Sequence, residues 1–141
     1  MSLSAELLRF YYLKCVDDLR HLNAGRVEGR ISYTSLLYLN IIMRTENCSA
    51  VYIAKALNIT KSAVTSKINE LIEQGFVERT QSQTDKRVYY LTLNPVIASE
   101  LSAQDQRLAR AEQAVSEKYS QLHFESLCDM LVRFNRQLTN S

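Results

Sequence analysis

Two clusters of residues in the middle of the chain have the chemistry of a polyanion receptor. The first is a segment starting at Thr60, where Lys61, Ser62, Thr65, Ser66, Lys67 and Asn69 bring hydroxyls, an amide and ammonium groups together. No acid interrupts that set before Glu70. The second is a polar stretch, Gln81 to Lys86, with Asp85 and Lys86 at its far end and Arg87 directly after it. Hydroxyl and amide groups exchange hydrogen bonds with base edges, and cations neutralise phosphates. A guanidinium on a short loop suits a narrow, negative groove. The plain alternatives are a solvated helix face in the first case and an ordinary stapled hairpin in the second.

These groups need rigid elements to present them. Val64, Ile68, Leu71 and Ile72 recur at helical spacing after Thr60, whose hydroxyl suits an N-cap, and Gly75 ends the run. At ~100° per residue, Ser62, Ser66, Asn69 and Glu73 point away from that apolar stripe, with Lys61, Thr65 and Lys67 on its flanks. Lys61 falls beside the positive end of the helix dipole, a position that favours a docked anion. Upstream, Ser49 caps a shorter helix carrying Ile53, Ala54 and Leu57, and Asn58 supplies the left-handed corner between the two. Downstream the period changes to two: Phe76–Thr80 and Arg87–Leu93 read as the strands of a hairpin, with Asp85 placed to pair with an arginine and hold the turn.

Residues 53–92 resemble the winged helix-turn-helix of the MarR family, the multiple-antibiotic-resistance-type transcriptional regulators. The matching pieces are Ile53-Ala54 with Leu57, the run Ile59 to Thr65, Leu71 with Gly75-Phe76-Val77-Glu78-Arg79, and Asp85-Lys86-Arg87 followed by Leu91-Thr92. The Asp-x-Arg pair before Leu-Thr is the most specific of these. Ser66 stands where many members carry arginine, and Asn58 where a turn glycine is usual. The resemblance implies that the helix after Thr60 lies in a major groove of DNA, that Arg87 enters the minor groove, and that Asp85 and Arg79 support the wing. It also implies a homodimer joined through its terminal helices, and small ligands, often phenolic, that alter the spacing of the two reading heads.

The rest of the chain is consistent with such an assembly. At 141 residues with 46% hydrophobic content, three glycines and one proline, it is an ordered, mainly helical protein of one domain. A net charge of +2 is too small to imply nucleic-acid binding by itself, so affinity must come from local placement of cations. Cys15, Cys48 and Cys128 are far apart and odd in number, which fits reduced cytoplasmic thiols; no metal or other cofactor is expected. No long apolar run and no leader-like N-terminus occur, which fits a soluble, unexported chain.

Residues 3–22 read as a first helix with a broad stripe of Leu8, Tyr11, Tyr12, Cys15, Leu19 and Leu22; His21 to Arg30 reads as a linker. Ser32 caps a second helix, apolar nearly all round and therefore buried. Asn94-Pro95 starts a long helix whose apolar residues Ile97, Leu101, Leu108, Ala111, Val115 and Leu122 recur mainly at sevens. A final helix carries Phe124, Leu127, Leu131, Phe134 and Leu138. Three surplus apolar stripes call for a partner, and an isologous homodimer supplies one.

The expected architecture is thus mainly α with a small antiparallel β-wing: one MarR-like domain over 1–141, a winged helix-turn-helix lobe at 32–93, and dimerisation helices at 1–24 and 95–141. The expected function is sequence-specific DNA binding by a homodimer at an inverted repeat, with release by a small aromatic or phenolic ligand held near Tyr11, Tyr12, Arg20, Tyr33 and Tyr38. Two alternatives stay open, a winged-helix module for protein partners and a redox sensor built on Cys15. Against the second, Lys14 is adjacent to Cys15 in sequence and so does not face it on a helix. Catalysis finds no glycine-rich phosphate loop and no paired metal ligands.

Overall fold

Capping hydroxyls set where the helices of the central lobe begin. In the computed structural model, which describes residues 2–25 and 30–140, Ser32, Ser49 and Thr60 each accept a hydrogen bond from the backbone N–H three residues on. They open α2 (Tyr33–Arg44), α3 (Ala50–Leu57) and α4 (Lys61–Glu73), as the sequence predicts. The helix ends are closed as deliberately. Asn58 adopts the left-handed conformation, with φ 52°, and the next N–H, of Ile59, reaches back to the carbonyl of Ala54 at 3.0 Å. Gly75, with φ +74°, does the same after α4, letting Phe76 N–H bond the Leu71 carbonyl at 2.9 Å.

Ahead of the lobe, α1 spans Leu3–Ala24, two residues beyond the predicted end. Asn23 near its end clamps Ile31 ahead of α2, accepting from the Ile31 N–H at 2.6 Å and donating to the Ile31 carbonyl at 3.0 Å. The predicted linker begins at His21, but His21 to Ala24 belong to α1, and its residues 26–29 lie outside the described residues.

The hairpin is β1 (Val77–Gln81) and β2 (Tyr89–Leu93), antiparallel, with Val77 opposite Leu93 and Gln81 opposite Tyr89. Both predicted strands shift by a residue or two: Gln81 joins the first, while Arg87 and Val88 belong to the loop. The Leu91 N–H bonds the Cys48 carbonyl at 2.8 Å, which ties the wing to the start of α3. One face of this hairpin sends Val77 and Leu91 into a core formed with Leu36, Leu39 and Ile42 of α2, Ile53 of α3, and Val64, Ile68 and Leu71 of α4. Burying an apolar side chain of this size contributes about 1.5–3 kcal/mol, so these contacts fix the hairpin against the helices. Ile68→Ala should therefore lower unfolding free energy by about 2–5 kcal/mol, measured by urea denaturation, whereas a change under 0.5 kcal/mol would mean this face is not packed.

The chain continues into α5 (Pro95–Ser116), opened by Asn94 as predicted, with its side chain accepting from Val96 N–H at 2.8 Å. A turn follows, and then α6 (Gln121–Thr139). The apolar spacing predicts that the heptad pattern runs through Leu122, but Leu122 lies in α6, because α5 ends at Ser116. The chain forms two compact units, residues 1–102 and 103–141, divided inside α5. In the second unit α6 buries none of its side chains, and Leu127, Leu131, Phe134 and Leu138 are exposed. In the first, Leu8, Tyr11 and Tyr12 of α1 are exposed, Leu8 at 70%. Among the described residues, no helix is long and apolar enough to cross a membrane.

Candidate nucleic-acid interface

The solvent side of α4 carries the residues that helical spacing assigned to it. Lys61, Ser62, Ser66 and Asn69 are exposed, Thr65 is half-buried, and Val64, Ile68 and Leu71 face inward. Lys67 departs from the expectation of a free flanking cation. Its ammonium bonds Glu70 at 2.8 Å, and its side chain is only 15% exposed. A charge one turn from an opposite charge on the same helix is drawn to it, so Lys67 offers the surface little net positive potential.

The wing loop, residues 82–88, is held by its own backbone. Ser82 Oγ accepts from the N–H groups of Thr84 and Asp85, each at 3.3 Å, Val88 N–H bonds the Asp85 carbonyl at 2.9 Å, and Ser82 N–H bonds the Val88 carbonyl at 2.9 Å. Asp85 stabilises the turn differently from the expected ion pair: its carboxylate accepts from the backbone N–H of Arg87 at 3.0 Å. The short Asx turn satisfies the acid locally and leaves the guanidinium to point elsewhere. Among the described residues, the side chains of Lys61, Lys86 and Arg87 have no hydrogen-bond or ion-pair partner.

Arg79 takes the supporting role inside the lobe. It donates through Nη2 to Asn69 Oδ1 at 2.8 Å and lies over the Tyr89 ring, 5.9 Å from the centroid. Gln81 extends this chain of contacts into the loop, donating to the Lys86 carbonyl at 2.7 Å and the Tyr89 hydroxyl at 3.3 Å. The sequence motif points to Arg79 but not to Gln81 and Tyr89. The available signal was the hairpin register, since Gln81 and Tyr89 are directly opposite and Arg79 lies on the same face as Gln81.

Between α4, the start of α3 and the wing lies an open cleft of about 390 Å³, walled by Lys61, Thr65, Arg79, Arg87, Val88 and Tyr89 among others. None of the described residues lining it is acidic. Three cations around one cleft, beside the N-terminus of a helix, make a site whose potential suits phosphate.

This arrangement has relatives. Residues 31–89 match the sequence model of the MarR family. The chain is 27% identical over 124 residues to the uncharacterised HTH-type transcriptional regulator YwhA of Bacillus subtilis, covering 88% of this chain and 87% of that one. In fold it is similar to Streptococcus pneumoniae FabT, solved in complex with DNA (TM-score 0.75, 20% identity, 98% of this chain and 96% of that one). It is also similar to Staphylococcus aureus MepR in a DNA complex (TM-score 0.64, 16% identity, 97% and 98%). The mainly helical winged helix-turn-helix expected from the sequence is the MarR fold observed here.

The tyrosines suggested as ligand walls divide. Tyr38 is 3% exposed, a core residue whose hydroxyl pKa is raised by burial, and so it does not line an open cleft. Tyr11 and Tyr33 join their hydroxyls across α1 and α2, and this hydrogen bond, with a smaller effect of the Cys15 thiol, pushes the Tyr11 pKa up to about 12. Tyr12 and Arg20 are exposed on α1. Cys15, Cys48 and Cys128 are free thiols, and burial raises the pKa of Cys48. No cluster of metal-ligating side chains occurs among the described residues.

Proposed function

We propose that this chain is a cytoplasmic, sequence-specific transcriptional regulator of the MarR family that binds duplex DNA as a homodimer. The observation that carries the reading is the acid-free cleft between the exposed face of α4 and the wing, with Lys61 and Arg87 unpartnered at its rim. Such a surface matches a helix in the major groove and a cationic loop in the adjoining minor groove. Ser62, Thr65, Ser66 and Asn69 would meet base edges, and Lys61 and Lys86 phosphates, with Arg87 in the minor groove. Lys67 contributes less, being held by Glu70. The FabT and MepR complexes, in proteins of the same fold, support the assignment.

Dimerisation is supported by the apolar residues left exposed on α1 and α6. The terminal helices, 1–24 and 95–141, are the proposed dimerisation elements around the 32–93 DNA-binding lobe. A two-fold axis would set two α4 helices roughly 34–36 Å apart, one turn of B-DNA, and so would select an inverted repeat. Release by a small aromatic or phenolic ligand belongs to the same proposal; Tyr11, Tyr12, Arg20 and Tyr33 are the side chains available to it. No catalytic step is part of this proposal.

A mobility-shift titration on random-sequence duplex at two salt concentrations tests it. Affinity should fall steeply as salt rises, because each neutralised phosphate releases condensed counterions. Absence of a shift at low ionic strength would refute DNA binding.

A further inference from the structure

Resting on the DNA-binding reading above, we infer that Arg79 is a specificity-positioning residue: it turns Asn69 into a hydrogen-bond donor, so that the pair selects guanine over adenine at the base it faces. A guanidinium has donors and no acceptor, so the amide group it touches must be the oxygen. The 2.8 Å bond from Arg79 Nη2 therefore fixes which way the Asn69 amide faces. Its Nδ2 hydrogens are left for the exposed side of α4, on the same stripe as Ser62 and Ser66.

A free asparagine reads adenine with both ends of its amide, accepting from N6–H and donating to N7. Here the acceptor end is engaged. The guanidinium bonded to Oδ1 puts positive charge at the end of the amide to which the amino group of adenine would have to donate. Guanine instead presents O6 and N7, both acceptors, to Nδ2 and to the remaining N–H groups of Arg79. A charged donor on Oδ1 also polarises the amide and strengthens its N–H groups as donors.

Arg79 is itself held. Its guanidinium lies over the ring of Tyr89, whose hydroxyl takes the amide of Gln81, and that amide also reaches the backbone of Lys86. The orientation of Asn69 on the helix is thus set from the hairpin, through contacts that run on to the wing loop carrying Arg87. Helix and wing would read DNA as one rigid unit.

Selection of bound duplexes from a random pool, run with wild type, Asn69→Asp and Arg79→Ala, tests the inference. Wild type should return a motif with a guanine in each half-site. In Asn69→Asp the carboxylate keeps its bond to Arg79 but has no donor, so preference for that guanine should fall on the order of tenfold, the size of one base contact. In Arg79→Ala the amide turns freely, and adenine should appear at the same position. If either folded variant returns the wild-type motif unchanged, the inference is overturned while DNA binding stands. If Arg79→Ala fails to fold, Asn69→Asp decides alone. Wild type that binds duplex but selects no motif overturns this inference and the sequence specificity of the proposed function; wild type that binds no duplex overturns DNA binding itself.

Discussion

Arg87→Ala should weaken DNA binding by about 30-fold or more while leaving far-UV circular dichroism, thermal midpoint and oligomeric mass unchanged. The side chain is exposed and without a partner among the described residues, so its removal strands nothing in the folded protein. The loop does not depend on it either, because Asp85 holds the turn through the backbone N–H at 87, which alanine retains. Loss of one guanidinium contact in a groove costs about 1–3 kcal/mol, and a dimer would lose two. The salt dependence of the remaining binding should also become shallower. Wild-type affinity in the variant would show that the wing does not touch DNA. Had Asp85 paired with the guanidinium, as the sequence suggested, the same substitution would have disturbed the loop and confounded the result.

Leu131→Glu should give a folded monomer that binds DNA far more weakly than wild type. Leu131 lies on α6 at 37% exposure, in line with Leu127, Phe134 and Leu138, all exposed in the single chain. Glutamate is as good a helix former as leucine, so the helix itself should survive. At a dimer interface, however, the charge would be buried without a partner, at a cost of several kcal/mol. Separated subunits lose the advantage of placing a second α4 beside the first, and binding would weaken by a factor on the order of 100 or more. Sedimentation and circular dichroism together check this. A variant that stays dimeric would remove α6 from the interface.

Much of the fold was legible because its signals are local. Ser32, Ser49, Thr60 and Asn94 cap helices by bonding backbone N–H groups two or three residues away, and Asn58 and Gly75 end helices through their own φ angles. Amphipathic spacing likewise sorted α4 into an inner face of Val64, Ile68 and Leu71 and an outer one of Ser62, Ser66 and Asn69. The end of α5 was less legible. Ser116 and Glu117 carry no glycine or proline to mark a break, and the apolar spacing runs on to Leu122.

The sequence by itself determined the helices, their caps, the existence of the wing and the two clusters of polar and cationic residues. Only the tertiary structure decided which of those groups are engaged. Lys67 is taken by Glu70, Asp85 by a backbone N–H, Tyr38 by the core and Asn69 by Arg79, whereas Lys61, Lys86 and Arg87 remain available. The physical reason is range. Caps and helical periodicity act within a turn of the chain, but the Asn69–Arg79–Tyr89 contacts depend on how the hairpin registers and docks against α4, and that is fixed by burying Val77 and Leu91 in a shared core.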